Sequence, residues 1–225
     1  MCDQKQFLSG LNKLGLSLSP QQTESILVYC QELRKWSKRI NLIARHTSPR
    51  DIVEKHFLDS LTLVPVIQQY GLYSLKQGRG VNNKISKISL LDIGTGAGFP
   101  GLVLATAQPE LSVTLVEPRQ KRVSFLRHII RTLGLKNVQI IDQRIEPGQS
   151  WEGPEFSFIT SRAVAARDIF LPMIEGIATN KTVVIMMGAS DKQAAADWRC
   201  LEERKFVLPF SHHPRVLTLL QKSGK

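Results

Sequence analysis

From residue 89 onward the 225-residue chain predicts an α/β fold: a doubly wound, mainly parallel sheet, preceded by a helical segment. Three observations point that way. Short apolar strands alternate with helical stretches, the pattern of a sheet covered by helices on both faces. One strand, Ser89–Ile93, runs into a glycine-rich turn, Gly94-Thr95-Gly96-Ala97-Gly98-Phe99-Pro100-Gly101. The last two strand candidates are joined only by Ser211-His212-His213-Pro214. So short a link joins only antiparallel neighbours, so one edge strand should run backwards.

Taken in order, residues 1–70 read as a helical extension packed on the core. Pro20 to Asn41 places Ile26, Leu27, Cys30, Leu33, Trp36 and Ile40 at helical spacing. Ser48-Pro49 starts another helix, with Asp51 and Glu54 near its positive end and Ile52, Val53, Phe57, Leu58 and Leu61 along one side. Residues 71–88, with Gly78, Gly80 and Asn82-Asn83, read as a loop. The core follows over 89–225. Its strand candidates are Ser89–Ile93, Ser112–Glu117, Val138–Asp142, Phe156–Thr160, Thr182–Met187, Lys205–Phe210 and Val216–Gln221. Between the second and third lies a helix with Val123, Leu126, Ile130 and Leu133 inward, stopped by Gly134.

In such sheets the ligand lies outside the carboxyl ends of the strands. The first end carries Asp92 and the glycines. A turn of this kind lets backbone N–H groups and a helix start approach a ligand with no side chain in the way. The second end carries Glu117, roughly 20 residues on, where an acid hydrogen-bonds a ribose diol. These features suit an adenosine cofactor and leave two candidates. Gly96-x-Gly98-x-x-Gly101 satisfies the dinucleotide fingerprint. Gly94-x-Gly96-x-Gly98 behind Asp92 suits S-adenosylmethionine, which has no phosphate but brings an ammonium for an acid to meet. The reversed strand favours S-adenosylmethionine, because a seven-stranded sheet ending in one is characteristic of methyltransferases that use it. A dinucleotide enzyme would also need a substrate domain for which the chain has no room.

The third strand end offers Ile145 as an apolar face for adenine and Glu146 as an acceptor. The fourth offers Ser161 and Arg162, facing donor and acceptor. No Asn/Asp-Pro-Pro-aromatic motif for exocyclic amines is present, and no cysteine is placed to attack a pyrimidine. The acceptor then needs no activation. Guanine N7 fits, having a free lone pair and no proton to remove. No acid or base is assigned. Ser161 and Arg162 are the acceptor-side candidates of the strand ends.

A net charge of +11 and three basic runs of one sign favour a polyanionic partner. Lys38, Arg39, Arg45, Arg50, Arg127 and Arg131 are the candidate RNA contacts. No apolar run reaches the ~18 residues of a membrane span, and the first residues lack the apolar stretch of a leader. Cys2, Cys30 and Cys200 have no metal-ligand spacing, so no metal is expected, and Cys30 reads as core. The expected setting is cytoplasmic, without membrane, as a monomer.

Several segments resemble the bacterial small-subunit ribosomal RNA guanine-N7 methyltransferase G family, also called glucose-inhibited division protein B. They are Trp36-Ser37-Lys38-Arg39-Ile40-Asn41-Leu42, His56-Phe57-Leu58-Asp59-Ser60, Asp92 through Gly101, Lys121-Arg122-Val123-Ser124-Phe125-Leu126 and Ser161-Arg162-Ala163. The resemblance implies a Rossmann-like S-adenosylmethionine-dependent methyltransferase fold. It also implies methylation of a guanine N7 near the decoding centre of small-subunit RNA, free or in the ribosomal subunit. It carries cofactor contacts onto Gly94, Phe99, Ile145, Glu146 and Arg162, beside Asp92, Gly96, Gly98 and Glu117 from the strand-end reading, and it adds His56 and Arg215 to the acceptor-side candidates. The chain departs from the family at Met186-Met187-Gly188, where a lysine is usual, and at His212-His213-Pro214-Arg215, where only Arg215 matches. The alternatives are a methyltransferase acting on a small molecule or protein, and a non-catalytic RNA-binding assembly factor.

Overall fold

The computed structural model describes residues 3–77, 87–162, 166–188 and 197–223. Its sheet has seven strands: β1 (Ser89–Ile93), β2 (Ser112–Val116), β3 (Val138–Ile141), β4 (Phe158–Arg162), β5 (Val183–Gly188), β6 (Trp198–Val207) and β7 (Pro214–Lys222). They lie in the order β3-β2-β1-β4-β5-β7-β6. The first five run parallel, and β7 is antiparallel to both β5 and β6. The reversed strand is therefore not at the edge as expected. It is inserted between β5 and the edge strand β6. Their side chains account for this. Leu217, Thr218, Leu219 and Leu220 of β7 are buried, while β6 carries Arg199, Glu202, Glu203, Arg204 and Lys205. A charged strand is suited to an unpaired edge.

Ahead of the sheet come α1 (Gln4–Lys13), α2 (Pro20–Ser37), α3 (Pro49–Ile52), a π-helical turn (Val53–Leu58), α4 (Asp59–Leu61) and α5 (Val64–Gln77). Ser19 and Gln22 form a reciprocal capping box at the start of α2. Ser48 caps α3, with Pro49 in its first turn. The helix begun at Val64 passes residue 70 and reaches Gln77, so the loop expected over 71–88 is helical in its first third; residues 78–86 lie outside the described residues.

Between strands run α6 (Gly101–Ala107), α7 (Gln120–Leu133) and α8 (Arg167–Ile174). Helix α7 buries Val123, Phe125, Leu126 and Ile129, with Ile130 and Leu133 half-buried at its margin, and Gly134 ends it in the left-handed region. Side chains alternate across the sheet. Leu90 joins a cluster with α1, α2, the π-turn, α6 and α7, while Leu91 and Ile93 join one with α8 on the other face. Cys30 is buried in the first cluster, as expected. Among the described residues no helix is long and apolar enough to cross a membrane.

Candidate active site

The strand order reverses direction at β1, which pairs with β2 on one side and β4 on the other. That crevice is where open α/β sheets bind ligands. Asp92, near the end of β1, is fully buried. Its Oδ2 accepts from the Thr95 hydroxyl at 2.6 Å and the Gly101 N–H at 2.8 Å. Its Oδ1 is buried with no hydrogen-bond partner. Burial raises its pKa to about 6. Asp92 thus holds the turn in shape. Gly94, Gly96 and Gly98 all have positive φ, at 69°, 62° and 94°, which glycine adopts without steric cost. A Cβ on Gly96 would find nothing nearer than 3.7 Å, so that side of the turn is open.

Glu117, just past β2, is 2% exposed. It accepts from the Gly96 N–H at 3.0 Å and the Arg119 N–H at 2.9 Å, and Arg122 lies 3.5 Å away. Glu117 and the turn are therefore one unit, the second-strand acid being locked to the middle glycine. Ile145 is buried beside Val116 and Ile159 in the second cluster. Glu146 is exposed, 3.9 Å from Arg144.

The helical segment supplies the rest of the site. Tyr29 on α2 is fully buried and its hydroxyl donates to the Ala97 carbonyl inside the turn. Its ring stacks on Phe99, with centroids 5.6 Å apart and planes within 8°, while Phe57 meets both edge-on. His56 lies over Phe99 at 5.0 Å. From β4, Arg162 reaches the π-turn. Its Nη2 donates to the Lys55 carbonyl at 2.6 Å and to His56 Nδ1 at 3.2 Å, and its carbon lies 5.9 Å from the Phe99 ring. Asp59 receives two cations, Arg162 at 3.7 Å and Arg215 of β7 at 3.1 Å. Burial raises the Asp59 pKa and the two arginines oppose that rise. Ser161 is buried on β4. His56, Arg162 and Arg215 are thus linked through Arg162 and Asp59 at the carboxyl end of β4, while no contact joins the Ser161 side chain to them among the described residues.

The π-turn has a second anchor. Glu54, 3% exposed, accepts from the Phe210 and Ser211 N–H groups at 2.7 and 2.8 Å, which ties the β6–β7 link to it. A π-turn widens a helix by one residue and is common at functional sites. Along it and at its end, Glu54 meets the β6–β7 link, the Lys55 carbonyl and His56 meet Arg162, and Asp59 meets Arg162 and Arg215.

Tyr29 and Glu54 went unmarked as site residues in the sequence. Tyr29 had a signal, lying three residues after Ile26 and four before Leu33 on the buried side of α2. Glu54 had none, since an acid in a first turn is usually explained by the helix dipole.

The candidate RNA residues Lys38, Arg39, Arg45, Arg50, Arg127 and Arg131 are all exposed. Helices α2 and α7 lie side by side, joined by Glu32 and His128 at 2.8 Å and by Trp36 packed on Phe125 and His128. Arg127 pairs with Asp142 at 3.1 Å, an exposed contact of small energetic consequence.

The donor set suits S-adenosylmethionine. A glycine turn open at Gly96, an orphaned acid oxygen on Asp92 and a buried, unpartnered Arg162 Nη1 supply both charges that its amino-acid end would need.

Comparisons with known proteins agree. The fold matches a SAM-dependent methyltransferase from Aquifex aeolicus with a TM-score of 0.50 at 14% identity, covering 84% of this chain and 98% of that one. It also matches TrmN from Thermus thermophilus at 0.53 and 13% identity, covering 76% and 53%. In sequence it is 40% identical to the ribosomal RNA small subunit methyltransferase G of Desulfotalea psychrophila, over 94% of this chain and 95% of that protein. It is 37% identical to that of Syntrophus aciditrophicus, over 96% and 88%. The family model for rRNA small subunit methyltransferase G matches residues 22–215. With a family model spanning the turn, the π-turn and both arginines of the Asp59 cluster, the chain belongs to the rRNA small subunit methyltransferase G family.

Proposed function

We propose that the protein methylates a guanine N7 of small-subunit ribosomal RNA, near the decoding centre, with S-adenosylmethionine as donor. It does so as a monomer in the cytoplasm, on the RNA or the small subunit. The observation that carries this reading is the meeting of Phe99, in the glycine turn, with His56 and with Arg162, which Asp59 links to Arg215, in a chain whose candidate RNA-binding lysine and arginines are all exposed.

When bound, the cofactor supplies a methyl group on a positively charged sulfur. The chain's residues bind and align. Gly94, Gly96 and Gly98 give backbone access, and Glu117 faces the turn where a ribose would lie. Ile145 offers an apolar surface with Glu146 beside it. Phe99, held between Tyr29 and His56, forms the wall between the cofactor side and the acceptor side. N7 needs no base, so the protein's contribution is proximity and in-line alignment. The two arginines are half-neutralised by Asp59, which limits their opposition to the charge that appears on the methylated purine.

Labelled S-adenosylmethionine offered to unmethylated small-subunit RNA, to free guanosine and to protein tests this. Incorporation into RNA that falls steeply with salt supports it, because released phosphate counterions make RNA binding salt-dependent. Salt-independent transfer to a small molecule or protein contradicts it, and failure to bind the cofactor would leave an assembly factor.

A further inference from the structure

We propose that His56 orients the acceptor guanine by donating its Nε2–H to the guanine O6. The assignment rests on the methyltransferase reading above and names the contact that makes that site select guanine.

The tautomer follows from the hydrogen-bond partner. Arginine has donors only. Because Arg162 Nη2 lies 3.2 Å from His56 Nδ1, that nitrogen must present its lone pair, and the ring proton sits on Nε2. Nε2 has no partner among the described residues and is not among their buried orphan atoms. The residue is largely buried, and its ring is tilted 30° from Phe99 and held there by that stack. One N–H donor is thus fixed in direction at the carboxyl end of β4, next to the turn.

The groups facing the ring keep it neutral. Burial does most of this, the cations Arg162, Lys55 and Arg215 add to it, and Asp51 is the opposing acid. Its pKa falls to about 3, so it is uncharged throughout the physiological range.

Neutrality matters for this acceptor. The N7 lone pair forms the new N–C bond, the C–S bond breaks with its electron pair returning to sulfur, and no proton moves. The positive charge passes from sulfur to the purine. A cationic donor at O6 would oppose that charge, while a neutral imidazole can hold O6 at no such cost. O6 and N7 are adjacent on the Hoogsteen edge, and adenine presents a donor where guanine presents O6. An Nε2–H there accepts guanine and rejects adenine.

The test pairs a protein change with a substrate change. His56→Ala should lower kcat/KM for RNA about ten- to a hundredfold, the scale of leaving one polar group unpaired. Cofactor affinity should stay within about threefold, because the lost contact is to the acceptor. His56→Gln keeps a neutral N–H donor and should recover most of the rate. RNA transcribed with 6-thioguanosine has a poor acceptor in place of O6. Whether naked or rebuilt into small subunits, it should slow the wild type about tenfold and the His56→Ala variant by no more than about twofold further. Additive losses, or a rate loss fully explained by weaker cofactor binding, overturn the assignment of His56 alone. If the wild type transfers nothing to either RNA, the proposed function falls and the His56 assignment falls with it.

Discussion

Substituting Gly98 by alanine probes how the helical segment clamps the cofactor turn. Gly98 has φ of 94°, where a Cβ costs about 1–2 kcal/mol. The new Cβ would also strike the Tyr29 hydroxyl, and would lie 2.6 Å from Leu102 Cδ1 and 2.9 Å from its Cβ. Tyr29 and Leu102 are both fully buried, so neither has open space to move into. Overpacking of this kind costs about 1–3 kcal/mol. Gly98→Ala should therefore destabilise the protein by about 2–5 kcal/mol and weaken cofactor binding by displacing the turn. Tyr29→Phe keeps the ring stack on Phe99 but orphans the Ala97 carbonyl, a cost of about 1–3 kcal/mol. It also removes one atom that the new Cβ would strike. In the Tyr29→Phe background, Gly98→Ala should then cost about 1 kcal/mol less than in the wild type. Urea unfolding of the four proteins, with calorimetric cofactor titration on each, reads both effects. A Gly98→Ala cost below about 0.5 kcal/mol, or an equal cost in both backgrounds, refutes the clamp.

Other outcomes follow from single contacts. Glu117→Ala frees the Gly96 N–H and Arg122, and should weaken cofactor binding in calorimetry by about 1–3 kcal/mol; unchanged affinity would remove Glu117 from the site. Lys38→Glu with Arg39→Glu should lower RNA affinity and reduce the salt slope by about one unit per lost phosphate contact, sparing the cofactor; equal loss of both would mean misfolding. Two buried groups set opposite pH trends. His56, with its folded pKa lowered to about 3, contributes stability above pH ~6.5 that is lost as pH falls towards 3. His56→Gln should therefore lessen acid destabilisation across that window in unfolding midpoints. Asp92, raised from 3.8 to about 6, contributes stability in acid that is lost as pH climbs through 6, on the order of 3 kcal/mol. Asp92→Asn should remove that component, and identical pH profiles for variant and wild type would refute the burial argument.

Much of the glycine-turn end of the candidate site was legible because its signals are local. Glycine spacing, the acid before it and the acid ending the next strand all lie within short stretches of chain, and strand periodicity placed them at one end of the sheet. The end of the candidate site around Asp59 was legible only in part. His56, Arg162 and Arg215 could be named, but Asp59 binding two arginines from β4 and β7 is a tertiary arrangement that no spacing announces. The π-turn was invisible for a similar reason. Ile52, Val53, Phe57, Leu58 and Leu61 satisfy ordinary helical periodicity, and the widening shows only in which partners Glu54 and Lys55 reach. The position of the reversed strand was misjudged because link length sets direction without setting which strand lies outermost. Burial decided that, placing apolar β7 inside charged β6.

The most direct test is the identity of the methylated nucleoside. Small subunits carrying RNA that lacks its own methylation are incubated with the protein and labelled S-adenosylmethionine, and the RNA is digested and its nucleosides separated. Label in 7-methylguanosine is the predicted result. Label in any other nucleoside, or none while the cofactor binds, contradicts the account.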